Sequence, residues 1–264
     1  MKRLQQSIYL LALMVFVSLA NAESVKEQTL HQLLVLSGIE SQMQDLSAGI
    51  KAGVQASSGG GSEFSEKYEK LFNQLIDPDK IHSEVAAQVS RELSEAEAQS
   101  LIKWYESNVG NRIARAEESA ASPEGMSQMQ SMSEKILADE PRMALASKLA
   151  EASGLIDKGL KTQNLMMLAI QVAASKLLSP DEPVALESLQ LALGAQAPRI
   201  AAYVEESILL GLAYTFRDFN EAELTAYSDM LKQPAMRNFN NSALKGTETA
   251  LENATKVMAA TNPE

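Results

Sequence analysis

Two short segments of the chain share one design, and together they constrain the fold more than any other feature of the sequence. Ser94 and Glu97 have the spacing of a capping box, in which two side chains satisfy backbone N–H groups at the start of a helix. Asn220 and Glu223 offer a comparable pair further along the chain. Apolar residues follow each pair at the three- and four-residue spacing of one helix face, so each segment predicts an amphipathic helix.

A tight corner and a second helix are predicted after each of these helices. Ser107 and Gly110 mark the first corner, and Gln233 and Pro234 mark the second. A glycine inside a helix usually costs about 1 kcal/mol relative to alanine, so its presence needs a reason. We expect Gly110 to allow close approach of the two corner helices, with Tyr105 packed at the joint.

The rest of the sequence extends this helical pattern. No segment alternates apolar and polar residues as a half-buried strand does. A second pair of similar segments, residues 36–39 and 152–155, supports an internal repeat. We therefore predict an all-α fold in which two related multi-helix halves form a helical bundle. The predicted first repeat covers residues 23–122, the connecting helix 123–142 and the second repeat 143–264.

Residues 1–22 are predicted to be a cleaved signal peptide. Lys2 and Arg3 precede an apolar run that is shorter than the roughly 20 residues of a membrane span. Ala20-Asn21-Ala22 fits a cleavage site, so we expect Glu23 to begin the mature chain. The expected location is the bacterial periplasm or the medium beyond it, with no membrane span left after cleavage.

The charge and cysteine content narrow the class of partner. The chain has 34 acidic and 23 basic residues, a formal net charge of −11, and no cysteine. Such an acidic chain is a poor ligand for nucleic acid, which is itself an anion. Without disulfides, the core has to be held by packing alone.

Residues with catalytic or metal-binding chemistry are sparse. The two histidines, His31 and His82, stand apart, whereas a metal site needs convergent ligands. A Ser-x-x-Lys pattern begins at Ser100 and again at Ser242, but the companion motifs of serine acyl-enzymes are missing. We predict no catalytic residue, no metal, no cofactor and no enzymatic activity.

Three methionines, Met126, Met129 and Met132, share one side of a predicted helix. Thioether sulfur suits Cu(I), which would make this stripe a copper site in an exported protein. Methionine is also a flexible filler of helical cores. The sequence leaves both interpretations open.

One surface has the composition of a protein interface. Trp104, the only tryptophan, lies close in sequence to Arg112 and Arg115, and interface hot spots favour tryptophan, tyrosine and arginine. The helical spacing places Trp104 at the flank of the buried face. The alternative is that Trp104 simply packs against a neighbouring helix, because large aromatic side chains are mostly buried.

The two corner segments resemble a family of exported bacterial proteins known as domain of unknown function twenty fifty-nine. That family combines an aromatic residue, a cap, several acids and then Tyr-x-Ser-Pro-x-Gly-Arg/Lys. Asn108 replaces the usual proline in the first segment. The first segment keeps Ser94, Glu95, Glu97, Tyr105, Ser107, Gly110 and Arg112, and the second keeps Phe219, Glu221, Glu223 and Pro234. The resemblance implies an exported helical fold and no assigned activity.

These observations favour an exported, non-enzymatic helical protein that binds another envelope protein or assembles with itself. The alternative is a carrier whose interior accepts an apolar small molecule or lipid between its helices. A sizeable apolar cavity would favour the carrier, because small-molecule sites are concave and largely apolar. A tightly filled core with an exposed apolar patch would favour the protein partner.

Overall fold

A computed structural model describes residues 23–41, 70–71, 73, 75, 77–179 and 182–260. These residues are helical almost throughout and contain no strand beyond one isolated bridge between Ser24 and Ser94. The helices with defined ends are α1 (Glu27–Leu36), α2 (Pro78–Glu92), α3 (Glu95–Glu106), α4 (Asn108–Ala121), α5 (Pro123–Leu137), α6 (Glu140–Ser153), α7 (Leu155–Leu178), α8 (Leu186–Thr215), α9 (Glu221–Leu231) and α10 (Pro234–Ala260). The predicted all-α class is confirmed. The predicted signal peptide lies outside the described residues.

Short polar side chains set most of the helix starts. Asp77 accepts hydrogen bonds from the backbone N–H groups of Asp79 and Lys80, and Pro78 occupies the first helical position of α2. Proline is tolerated there because its missing N–H would have no helical partner. Ser122 caps α5 in the same way, so the chain passes from α4 to α5 through one residue rather than through a loop.

Two glycines end helices with left-handed backbone. Gly38 follows α1 with φ of 74°, and Gly154 lies between α6 and α7 with φ of 61°. Residues with a β-carbon rarely adopt this conformation, whereas glycine adopts it freely. Gly38 and Gly154 belong to the two similar segments, residues 36–39 and 152–155, so these segments share a backbone conformation as well as a sequence pattern.

The core joins both ends of the chain. The apolar face of α2 packs along α10 over the most extensive helix–helix contact in the described residues. Gly246 makes this approach feasible, because a β-carbon there would lie 2.5 Å from the Cα of Val85. Buried residues of α1 to α4 belong to the same apolar cluster as residues of α7, α9 and α10. The predicted halves therefore share one core.

The first described residues are held against the start of α3. The backbone N–H of Glu95 donates to the carbonyl of Glu23, and the Glu95 carboxylate accepts from the Lys26 N–H and the Thr29 hydroxyl. These bonds, with the Lys26 N–H first among them, lower the pKa of Glu95. Among the described residues, no helix is both long and apolar enough to cross a membrane.

Candidate functional site

Both predicted capping boxes are closed in the structure. The Ser94 N–H donates to the Glu97 carboxylate at 2.9 Å, and the Glu97 N–H donates to the Ser94 hydroxyl at 3.3 Å. The equivalent distances for Asn220 and Glu223 are both 3.0 Å. The Ser94 N–H is the largest cause of a lowered Glu97 pKa. The acids of these motifs thus act as helix caps, as predicted.

The two corners contact each other in a reciprocal way. Arg112, after the first corner, forms an ion pair with Glu223 of the second capping box. Asn238, after the second corner, donates to Glu97 of the first capping box at 3.4 Å. Each cap therefore receives a side chain from the opposite corner.

Two of the three residues predicted to form a partner surface, Arg112 and Trp104, make contacts within the protein. Arg112 stacks over the Phe219 ring, with 4.6 Å between guanidinium carbon and ring centroid, in addition to its ion pair. Trp104 is half-buried and packs against the main apolar cluster, as expected for the flank of a buried face. Arg115 is exposed and makes no ion pair or hydrogen bond within the described part of the chain. Of the two arginines, Arg115 alone has no ion pair or hydrogen bond with a described residue.

Gly110 lies at a close joint between α3 and α4. A β-carbon at this position would lie 2.0 Å from the carbonyl oxygen of Trp104, so no larger residue fits without a shift of backbone. Tyr105 is buried beside the joint and donates to the sulfur of Met236 at 3.7 Å. Burial raises the pKa of Tyr105, so its hydroxyl stays protonated.

The methionine stripe packs largely as core. Met129 and Met132 lie against a second apolar cluster that includes Ile136 and Tyr214, while Met126 is partly exposed. Across the described ranges, no three His, Asp or Glu side chains converge as metal ligands. The Ser242 hydroxyl donates to the Asn238 carbonyl, which accounts for one of the two Ser-x-x-Lys serines as a helix-bonded side chain.

A cavity of about 620 Å³ lies between the predicted halves and is partly open to solvent. Its volume falls within the roughly 300–1,000 Å³ of small-molecule sites. Its wall is mostly apolar and comes from eight helices, α3 to α10, together with Ser37 and Ile39, which follow α1. Aromatic rings from Tyr105, Phe216, Tyr227 and Phe239 contribute to this wall.

Glu117 places one carboxyl group in this apolar wall. Glu117 is partly buried and lines the cavity. Its Oε1 accepts a hydrogen bond of 2.6 Å from the Tyr227 hydroxyl, and Oε2 has no hydrogen bond to a described residue. Burial raises the pKa of Glu117 to about 7, while the Tyr227 hydrogen bond opposes this rise. A carboxyl with such a pKa can donate or accept a hydrogen bond near neutral pH.

Few other polar groups line the cavity. The hydroxyls of Thr162 and Thr215 donate to carbonyls of their own helices, which leaves their oxygens as acceptors. Lys158 lies at the side of the cavity, and its ammonium donates to the Ser153 carbonyl at 2.7 Å. A largely apolar wall with a few placed polar groups is typical of a small-molecule site.

Glu117 was not predicted as a site residue, although the sequence contains a signal for it. Gly110, Ile113 and Ala114 form the buried stripe of α4, and Glu117 occupies the next position of that stripe. A carboxyl on an otherwise buried stripe either needs a partner or has a use, because burial of a charge is costly. Its neighbour Glu118 points instead to the surface, where it accepts from the Ser41 hydroxyl.

Residues 79–139 match the model of a bacterial family described as "Uncharacterized protein conserved in bacteria (DUF2059)". This range contains the first corner and Glu117, and it confirms the resemblance for that part of the chain. The match does not extend to the second corner. No curated protein and no solved structure matches the chain.

Proposed function

We propose that this protein, whose residues 79–139 match a bacterial family, is a non-enzymatic carrier. The cavity would hold a largely apolar small molecule that carries at least one hydrogen-bonding group. The observation that carries this proposal is the pairing of a roughly 620 Å³ apolar cavity with the buried Glu117 carboxyl. A tightly filled core would contain neither such a cavity nor a carboxyl group that lines it.

The Glu117–Tyr227 pair gives the proposed site its polar specificity. The Tyr227 hydroxyl donates to Oε1, and a ligand group that donates to Oε2 would complete the hydrogen bonding of the carboxyl. Exported location, as predicted from residues 1–22, would suit a carrier of apolar molecules between membranes.

Gly211 allows a direct test of the cavity. It lines the cavity from α8, and a β-carbon built there meets no atom within 4 Å, so a larger side chain would fill open space. We expect the purified protein to bind the neutral fluorescent probe N-phenyl-1-naphthylamine saturably. Gly211→Leu should abolish that binding and keep the helical circular dichroism of wild type.

Gly194 supplies a matched control. It also lies within α8 with no atom within 4 Å of a built β-carbon, but it does not line the cavity. Gly194→Leu should bind the probe as wild type does. Equal probe binding by the two folded leucine variants would contradict the carrier proposal.

The protein-partner alternative keeps one distinct feature. The Trp104 indole N–H is buried and has no acceptor among the described residues, and Arg115 is exposed and unpaired nearby in sequence. Trp104→Ala combined with Arg115→Ala tests this alternative without breaking the Arg112–Glu223 ion pair. If the folded double variant retains every partner that wild type recovers from envelope extract, the surface does not bind there.

A further inference from the structure

A basic cleft adjoins the proposed carrier cavity. The cleft has a volume of about 330 Å³, and four residues, Ser153, Lys158, Leu231 and Asn240, line both spaces. The cavity and the cleft therefore lie next to each other at these four residues. Glu117 does not line the cleft.

The cleft is positive although the whole chain is acidic. Lys158, Lys232 and Arg237 line it together with one acid, Glu151, whereas the chain carries a formal net charge of −11. Lys232 pairs with Asp229 at 3.6 Å, outside the cleft lining. Within the described residues, neither Lys158 nor Arg237 has an ion pair, so two cations remain without a counter-charge.

These two cations line the same cleft. Burial, and then the nearby Arg237 guanidinium, lower the pKa of Lys158. The Lys158 ammonium uses one of its three N–H donors on the Ser153 carbonyl, and the Arg237 side chain donates to no described residue. An anion in the cleft would relieve the repulsion and take up these free donors.

We propose that the ligand is an anionic amphiphile whose carboxylate or phosphate head group lies in the cleft between Lys158 and Arg237 and whose apolar part fills the cavity. This inference rests on the proposed carrier function and adds the class of ligand to it. Carboxylate and phosphate share the required chemistry, because both accept several charge-assisted hydrogen bonds.

Displacement of N-phenyl-1-naphthylamine from the full chain tests the head group. Dodecanoate, dodecyl phosphate, dodecanol and dodecyltrimethylammonium have the same alkyl chain and differ only in the head, and each is used below its micelle concentration. At least one of the two anions should displace the probe at a concentration about tenfold lower than dodecanol. The anion that displaces the probe at the lower concentration identifies the head group as a carboxylate or as a phosphate.

Two variants assign this preference to the cleft. Lys158→Gln with Arg237→Gln should remove the preference, so that the anions displace the probe no better than dodecanol does. Lys256→Gln is the control, because Lys256 lies on α10 like Arg237, is exposed and does not line the cleft. Each single variant should lose part of the preference.

The outcomes separate this inference from the carrier proposal. Equal displacement by anions and dodecanol in wild type would overturn the head-group assignment and leave the carrier standing. So would an anion preference that survives in the folded double variant, or stronger displacement by the trimethylammonium probe. Failure of every probe to bind would remove the carrier, and the head group with it.

Discussion

The corner formed by α3 and α4 can be compared position by position with the corner formed by α9 and α10, because both begin with a closed capping box. Gly110 of the first corner corresponds to Met236 of the second, and Arg112 corresponds to Asn238. The first corner closes tightly against the Trp104 carbonyl, whereas the second has a buried methionine whose sulfur accepts a hydrogen bond from Tyr105 of the first corner. The same helix starts are therefore followed by different packing at the two corners.

The largest predicted difference between the corners is the loss of stability on substitution of Gly110 or of Met236. Gly110→Leu places a side chain where even a β-carbon would lie 2.0 Å from backbone, so we expect a loss of more than about 3 kcal/mol of stability. Met236→Leu nearly conserves volume at a buried site and should cost less than about 1.5 kcal/mol. Urea unfolding of both variants measures the two losses. Similar unfolding midpoints would mean that the two joints are equally tolerant.

The Glu117 carboxyl of the first corner has no counterpart in the second corner, where Ala243 occupies the equivalent position. Because the pKa of Glu117 is raised from 4.5 to about 7 in the folded protein, the unfolded chain loses this proton first. Folding stability should therefore fall as pH rises through the range from about 4.5 to 7, by about 3 kcal/mol in all, and then level off.

Glu117→Gln should remove this part of the pH dependence, because glutamine does not titrate. Thermal unfolding of wild type and variant at intervals from pH 4.5 to 8 measures the difference. A stability difference between the two proteins that stays constant over this range would exclude a raised Glu117 pKa. Ala243→Ser, at the matched position of the second corner, serves as the control and should not alter the pH profile.

The two capping boxes should be nearly equal in strength. Ser94→Ala and Asn220→Ala each remove a side-chain acceptor at a helix start, at a cost of about 1 kcal/mol. Chemical denaturation compares the two variants on one scale. A neutral result for either would show that this cap is replaced by solvent.

The smallest predicted effect concerns the reciprocal contacts. Arg112→Ala loses an ion pair and a cation–π contact at a partly exposed site, so we expect about 1 kcal/mol or less. Asn238→Ala loses one long hydrogen bond and should cost less still. Added salt should shrink the Arg112 effect and leave the Asn238 effect unchanged, because salt screens charges. Identical salt responses would argue against a charge-dependent contact.

Local chemistry explains what the sequence analysis could predict. A capping box, a proline at the first helical position and an apolar stripe act within one or two helical turns, so their spacing is readable. Ser94 with Glu97 and Asn220 with Glu223 formed capping boxes as expected.

Long-range contacts explain what it could not predict. Arg112 is close in sequence to Trp104 and Arg115, which suggested one surface, but its partner Glu223 comes from a different helix. The cavity likewise depends on helices that are remote in sequence. Spacing along the chain can place Glu117 on the α4 stripe, but it cannot show that this stripe faces a cavity.

The packing of α2 along α10 has a consequence for how the chain folds. Residues 93–233 separate these two helices in the sequence, so the loop that their contact closes is long and its closure is costly in entropy. Contacts between such distant segments slow folding. The apolar face of α2 lacks this cover until α10 has been synthesised. If the chain is exported as residues 1–22 predict, this delay favours translocation, because α2 stays incompletely packed until α10 is available.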